Sequence, residues 1–238
     1  FATIVAQSLN EETVPGDRVV LIAPEGMEFV VGFYGCILSS RVVVPTYPPA
    51  TTRVNRSTLR FHDLVADVAP AAFLTTADLA RRIKPLLGEL GFDDTPLIEI
   101  DLTRKARPSD SDAAIMATGE SVAMIQYTSG STSRPKGVVL THLNLLENAR
   151  GMQLHGGFGS NTIGFSWLPP YHDMGLISGL ILPMCVGYPS ILSPSKTFLR
   201  RPVSWLESIS QFEVTMTGAP NFAFDYCVDR ISDAEISG

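Results

Sequence analysis

The sequence predicts an α/β fold in which strands and helices alternate and the sheets are largely parallel. Short apolar runs rich in Val, Ile and Leu are bounded by turn residues, which is typical of buried strands. Longer segments with helical periodicity separate these runs, and no repeat of fixed period is present. With 45% hydrophobic residues among 238, the chain can build one large domain or two small ones.

Four strands and three helices are predicted before residue 101. The strands cover 18–23, 41–45, 71–75 and 97–100, and the helices cover 26–38, 55–68 and 78–90. The second helix has apolar residues at i, i+3, i+4 and i+7, namely Phe61, Leu64, Val65 and Val68. Pro85 is expected to break or kink the third helix. A strand, a helix and a strand in succession indicate a βαβ unit.

Residues 103–119 are polar and contain Pro, Gly and Asp, which is typical of a surface connector. We therefore divide the chain into possible subdomains 1–118 and 119–238. The basic cluster Arg104–Arg107 is better explained as a solvated loop than as a binding patch.

The second half continues the alternation. Strands are predicted at 121–125, 162–168, 189–192 and 214–217, and helices at 142–156, 175–186, 202–209 and 221–228. Thr141 is the expected N-cap of the first of these helices, and the pair Gly156-Gly157 its end. Helix 175–186 is almost purely apolar, which predicts ordinary core packing or the wall of an apolar tunnel.

Composition narrows the function classes. The net charge of −6 gives no basic footprint, so we expect no nucleic-acid partner. Three cysteines lie far apart without a C-x-x-C pair, which favours free thiols in a reducing cytoplasm over a disulfide framework or a metal site. No apolar run reaches the ~18 residues of a membrane span. The chain begins at Phe1 without a methionine, so we expect a fragment.

The run from Gln126 to Gly137 has the composition of a phosphate-binding loop. It contains five serines and threonines, two glycines and one lysine: Thr128, Ser129, Ser131, Thr132, Ser133, Gly130, Gly137 and Lys136. Hydroxyls donate to phosphate oxygens, glycine admits the backbone, and lysine supplies a compact charge. The spacing is not that of a Walker A loop. A solvated turn is the alternative. An amphipathic helix is expected directly after the run.

A second motif spans 166–176, where a predicted strand meets a predicted helix. Ligands of open α/β sheets gather at the carboxyl ends of strands, and a helix start favours an anion. We therefore select His172 as the candidate ligand-binding histidine. The alternative is that Asp173 caps the helix while His172 is a surface residue. The other three histidines lack such a context.

The segment Tyr127–Val138 resembles the phosphate-binding signature of the adenylate-forming superfamily, with Ser133 where that family usually has glycine. Four further segments resemble its fatty acyl-AMP ligase branch: 44–49, 166–176, 198–206 and 218–228. The resemblance runs from about Pro15 to Val228. It implies that 1–238 is the N-terminal part of an AMP-binding domain, with the remainder and a small C-terminal domain absent.

The resemblance also implies a reaction, in which ATP and Mg²⁺ serve to convert a fatty acid to acyl-adenylate for an acyl carrier protein. Lys136 and His172 take the catalytic roles, Lys136 at the leaving pyrophosphate and His172 near the α-phosphate or the carboxylate. The β- and γ-phosphates are assigned to Thr128, Ser129, Gly130, Ser131, Thr132 and Lys136. The substrate is assigned to His172, Asp173, Met174, Gly218, Pro220, Asn221 and Phe222. No metal ligand is assigned, and we expect little or no activity from this chain alone.

Two other functions stay open. The whole protein is an acyl-CoA synthetase if the acyl group passes to CoA. It is a non-catalytic lipid- or nucleotide-binding module if the Ser133 departure marks an inactive loop. A stand-alone ligase and a loading domain of a polyketide or peptide synthase are both compatible with the sequence.

Overall fold

The computed structural model describes residues 1–49, 56–104, 117–128 and 135–236. The chain forms two compact units, 1–144 and 145–238. Both are of α/β type and both contain parallel sheets, which confirms the predicted class. No helix in the described part of the chain combines the length and the apolarity needed to cross a bilayer.

The first unit is built on one twisted sheet. Its elements are α1 (Ala2–Glu12), β1 (Arg18–Ile22), α2 (Met27–Leu38), β2 (Val42–Thr46), α3 (Arg56–Val68), β3 (Ala72–Thr76), α4 (Ala77–Glu89), β4 (Leu97–Ile100), β5 (Val122–Thr128), β6 (Lys136–Thr141) and the start of α5 (His142–Gly156). Among the described residues the strand order is β4-β3-β1-β2-β5-β6. Neighbours from β4 to β5 pair in parallel, and β6 runs antiparallel to β5.

Both faces of the central strands are covered, as a parallel sheet requires. Val20 and Ile22 of β1 pack with residues of α3 and α4 in one hydrophobic cluster. Leu21, which alternates with them, lies against Gly32 of α2. The predicted apolar face of α3 is confirmed, because its four members are all buried: Phe61, Leu64, Val65 and Val68.

Two local predictions are wrong. The break expected at Pro85 is absent, because Pro85 lies inside a continuous α4. Pro85 and Arg81 are both exposed, so the Arg81 carbonyl, which loses its helical donor, belongs to the side of the helix that water can reach. The helix expected directly after the hydroxyl-rich run is preceded by β6, whose residues pair with β5 and end the sheet.

The predicted cap of α5 is confirmed. Thr141 Oγ1 accepts a hydrogen bond from the Asn144 amide at 3.1 Å, and the Thr141 amide donates to Asn144 Oδ1 at 3.0 Å. The helix ends at Gly156, and Gly157 has a φ of +67°. The compact units divide after Asn144, whereas our reading of the sequence divides the chain after residue 118. The strands between these two points, β5 and β6, belong to the sheet of the first unit.

The second unit has shorter strands. After the remainder of α5 come β7 (Gly164–Ser166), α6 (Asp173–Leu176), a π-helix (Ile177–Ile181), α7 (Leu182–Val186), β8 (Ser190–Leu192), α8 (Ser195–Arg200), α9 (Val203–Gln211), β9 (Met216–Thr217), α10 (Asn221–Arg230) and α11 (Asp233–Ile236). The three strands pair in parallel in the order β8-β7-β9 among the described residues. An aromatic cluster supports this sheet, with Trp167 stacked on Phe198 at 3.9 Å between ring centroids.

The helix predicted over 175–186 is present but changes type along its length. Its middle turn is π-helical, from Ile177 to Ile181. Pro183 has no N–H, so the α-helical bond to the Gly179 carbonyl is missing. Ser190 Oγ donates to that carbonyl at 2.9 Å, which satisfies it and joins the helix to β8.

Candidate functional site

The hydroxyl-rich run connects the two strands of a β-hairpin. β5 ends at Thr128 and β6 begins at Lys136, and these two residues are directly paired across the ladder. Directly opposed residues project from the same face of a sheet. Both side chains are exposed. A hydroxyl-bearing and an ammonium-bearing side chain therefore lie side by side at the loop end of this hairpin.

Four of the residues assigned to the phosphates lie outside the described residues, namely Ser129, Gly130, Ser131 and Thr132. Ser133, the departure from the family pattern, lies there too. Their roles stay predictions. Among the described residues, Lys136 forms no ion pair.

An aromatic ring packs at the strand pair next to the loop end of the hairpin. Tyr127 is paired with Gly137, and a Cβ at Gly137 would lie 3.0 Å from Tyr127 Cζ and 2.7 Å from Ile125 Cγ2. The glycine of the Pro-Lys-Gly sequence thus gives the ring its place over the backbone. The Tyr127 hydroxyl donates to Asp67 Oδ2 of α3. Burial, and next this hydrogen bond, raise the pKa of Tyr127 above its ordinary value.

In the second unit, His172 and Asp173 pair with each other at the start of α6. His172 Nδ1 and Asp173 Oδ1 are 2.5 Å apart, and the side chains are 69% and 58% exposed. Asp173 Oδ1 also accepts a hydrogen bond from the Met174 amide at 2.7 Å. The capping role proposed for Asp173 in the alternative interpretation is wrong, because His172 is the N-cap of α6 and no side chain of the described residues makes a capping hydrogen bond there. The surface position of the imidazole, which that interpretation also expects, is observed. The imidazole is equally open to a ligand.

Gly175 explains the tight turn that presents His172. A Cβ at Gly175 would lie 2.2 Å from the Pro169 carbonyl oxygen, a distance that no side chain tolerates. The His172 amide donates to that same carbonyl at 3.0 Å. The glycine therefore lets the Leu-Pro-Pro segment pass directly against the helix start, which fixes the direction of the turn.

The two segments assigned to the substrate meet in this unit. Met174 Cε lies 3.6 Å from the position that a Cβ would take at Gly218. Trp205 Nε1 donates to Thr217 Oγ1 at 3.0 Å, directly before that glycine, a contact that the sequence did not reveal. Pro220 has extended backbone and precedes α10, whose first two residues, Asn221 and Phe222, are exposed.

The predicted site residues thus form two clusters, one in each unit. Thr128 and Lys136 belong to the first. The second brings together Met174 and Gly218 beside the remaining substrate residues, namely His172, Asp173, Pro220, Asn221 and Phe222. Among the described residues no group of three or more His, Cys, Asp or Glu side chains is arranged to hold a metal ion.

Comparison with known proteins identifies the family. The family model described as "AMP-binding enzyme" matches residues 2–236, nearly the whole chain. The chain belongs to the AMP-binding enzyme family. Its AMP-binding relatives include the medium-chain-fatty-acid–[acyl-carrier-protein] ligase JamA of Moorena producens, 32% identical over 96% of this chain and 39% of JamA. The long-chain-fatty-acid–AMP ligase FadD26 of Mycobacterium marinum is 34% identical over 100% of the chain and 41% of FadD26.

A solved AMP-binding structure shares the fold across the whole chain. It is the fatty acyl-adenylate ligase from L. pneumophila in complex with acyl adenylate and pyrophosphate, with a TM-score of 0.86 and 35% identity, covering 100% of this chain and 40% of that one. The chain therefore spans about two fifths of the length of these relatives. The fold matches the N-terminal portion predicted from the sequence.

Proposed function

We propose that this chain supplies the nucleotide-phosphate hairpin and part of the acyl-binding wall of a fatty acid–AMP ligase. The observation that carries the proposal is the pairing of Thr128 with Lys136 at the end of the β5–β6 hairpin. The fatty acyl-adenylate ligase that shares this fold was solved with acyl adenylate and pyrophosphate, the two products of such a reaction.

The reaction joins a carboxylate to a nucleotide. A carboxylate oxygen of the fatty acid attacks the α-phosphorus of ATP, the new P–O bond forms acyl-AMP, and the bond to pyrophosphate breaks. Negative charge accumulates on the leaving pyrophosphate, so the ammonium of Lys136 stabilises it and the Thr128 hydroxyl donates to its oxygens. We assign the same role to the sequence between them: Ser129, Gly130, Ser131 and Thr132.

The second cluster serves the acyl end. His172, at a helix start, interacts with the carboxylate or the α-phosphate, and the surfaces of Met174 and Phe222 receive apolar substrate. ATP enters with Mg²⁺ on its phosphates. Among the described residues no group of three or more His, Cys, Asp or Glu side chains could hold that ion, so we assign no metal ligand to this chain.

The acyl group is destined for an acyl carrier protein, since JamA is a ligase of that kind. Carrier-dependent activation is also the first step of polyketide or nonribosomal peptide assembly. We place the reaction in the cytoplasm, which agrees with the three free thiols Cys36, Cys185 and Cys227. The net charge of −6 agrees with the absence of nucleic acid from the proposed partners.

Replacement of Lys136 tests the proposal. In the protein that carries this chain, Lys136→Ala should lower kcat/KM for ATP about 10- to 100-fold in fatty-acid-dependent ATP–pyrophosphate exchange, because a charge-assisted contact contributes on the order of 1.5–3 kcal/mol. Lys84→Ala is the matched control, since Lys84 is an exposed lysine of α4 and should leave the rate unchanged. Unchanged exchange in Lys136→Ala would contradict the proposal and favour a non-catalytic binding module.

The acceptor is tested separately. The proposal expects acyl-adenylate to persist when CoA is added and to disappear when an acyl carrier protein is added. Rapid conversion to acyl-CoA identifies an acyl-CoA synthetase instead, and reverse-phase chromatography of the products distinguishes the two outcomes.

A further inference from the structure

A hydrogen bond outside the predicted site residues links the hairpin to a distant helix. Tyr127 is the second-last residue of β5, directly before Thr128. Its hydroxyl donates to Asp67 Oδ2, 60 residues earlier in the chain. A carboxylate acceptor makes this bond stronger than one between neutral groups.

The Tyr127 ring is confined on its other sides as well. One side lies over Gly137, the residue that follows Lys136 in β6. Ile125 and Tyr127 also pack against the hydrophobic cluster that contains Phe61, Val65 and Val68 of α3. The hydroxyl is therefore the one polar end of a ring whose body is already fixed by packing.

The acceptor sits on a rigid element. Asp67 is in the last turn of α3, and its neighbour Val68 is buried. Arg18 of β1 donates to the carbonyl of Ala69, just past the helix, at 3.4 Å. Asp67 itself is exposed, so its carboxylate is not required to fill the core.

We propose that Asp67 is a positioning residue for the phosphate hairpin, acting through Tyr127. Successive residues of a strand point to opposite faces, so Tyr127 faces α3 while Thr128 projects from the other face. A shift of Tyr127 displaces the adjacent Thr128 and, through the paired Gly137, the adjacent Lys136. Asp67 thereby sets the spacing of the hydroxyl and the ammonium without touching the nucleotide. The nucleotide part of this inference rests on the proposed function.

The test uses the protein that carries this chain and two independent measurements. The variants are Tyr127→Phe, Asp67→Ala and Asp67→Asn, with Asp63→Ala as the matched control. Asp63 lies one turn earlier on the same helix and is also exposed, and its Oδ1 lies 3.4 Å from Nδ1 of the neighbouring His62. Hydrogen exchange without nucleotide reports on the amides of 126–128 and 136–138. Equilibrium titration with ATP reports on binding, and fatty-acid-dependent ATP–pyrophosphate exchange reports on turnover.

We expect Tyr127→Phe and Asp67→Ala each to accelerate hydrogen exchange of the amides of 126–128 and 136–138. Each should also raise the Kd and KM for ATP about 3- to 10-fold, because one hydrogen bond is lost. kcat should change less than KM. Asp67→Asn, which keeps an acceptor oxygen, should recover most of the loss, and the double variant should be no worse than either single variant. Asp63→Ala should match the parent.

The outcomes separate the two proposals. If the hydrogen-exchange rates of the amides of 126–128 and 136–138 equal those of the parent in both Tyr127→Phe and Asp67→Ala, the positioning role is overturned, whatever the ATP affinity of the variants. Faster hydrogen exchange of these amides with an ATP affinity equal to that of the parent also overturns it, since the hairpin then moves without effect on nucleotide binding. A parent protein that binds no ATP overturns the proposed function, while the exchange comparison still decides whether Asp67 orders the hairpin.

Discussion

The two units of this chain present their candidate site residues on sheets of very different construction. In the first unit, β1 pairs with β2 over five residues and with β3 over four, and its Val19–Ile22 segment is fully buried. In the second unit, β7 pairs with β8 over three residues and with β9 over two. The backbone ladders of β1 are therefore longer than those of β7. We infer that aromatic side-chain contacts contribute more to the stability of the second sheet than of the first.

The largest expected effect comes from removing one aromatic side chain from each core. Phe73 in β3 and Phe198 in α8 are both essentially inaccessible to solvent. We expect Phe73→Ala and Phe198→Ala each to lower the free energy of unfolding by about 3–5 kcal/mol, measured by urea unfolding with circular dichroism. The two substitutions should differ in native-state tryptophan emission.

That difference follows from where the tryptophans lie. Both Trp167 and Trp205 contact Phe198, which stacks on the former at a centroid distance of 3.9 Å. Phe198→Ala should therefore shift the native emission to the red, whereas Phe73→Ala should leave it unchanged. An unshifted spectrum in Phe198→Ala would show that the second unit does not depend on aromatic packing. The two units would then not differ in this respect.

Sequence reasoning succeeded where the backbone dominates. The four early strands are apolar runs in a chain whose sheet is buried on both faces, so their composition identified them. It failed at β6, because Lys136–Thr141 is an edge strand in which the successive residues Val138 and Val139 are both exposed. Its sequence therefore lacks the alternation of apolar and polar residues that would predict a strand. It also missed the π-helical turn, in which Pro183 leaves the Gly179 carbonyl without its helical donor and Ser190 of another strand donates to it.

The same division holds for the candidate site. Hydroxyls, glycines and a lysine predict phosphate binding by residue type, so Thr128 and Lys136 can be proposed from the sequence alone. Asp67 was not, because it is one exposed carboxylate in an amphipathic helix and gains a role only through the fold. The hydrogen bond from the Trp205 indole to Thr217 likewise depends on the fold, because the two residues belong to different elements.

A smaller effect is expected at the turn that presents His172. Gly175→Ala places a methyl group 2.2 Å from a backbone carbonyl, so the helix start or the Pro169 segment must move. We expect a loss of about 1–3 kcal/mol in urea unfolding. Gly151→Ala, in the same unit, is the control with the opposite sign. Nothing lies within 4 Å of a Cβ there, so the helical α5 should gain up to about 1 kcal/mol. Equal effects would mean that close approach at Gly175 is unimportant.

The smallest effect concerns the hydrogen bond from Trp205 of α9 to Thr217 of β9. Trp205→Phe keeps an aromatic ring but removes the donor, and we expect a loss of about 1 kcal/mol in the same unfolding assay. Thr217→Val removes the acceptor while keeping the shape, and it leaves the indole N–H of a side chain only 5% exposed without its partner. Leaving a buried donor unpaired costs about 1–3 kcal/mol, so Thr217→Val should be the more damaging change. The double variant should then be more stable than Thr217→Val alone, because no unpaired donor remains. Simple additivity of the two losses would indicate that the contact is incidental, and that the short strand β9 is held by its backbone pairing as the strands of the first unit are.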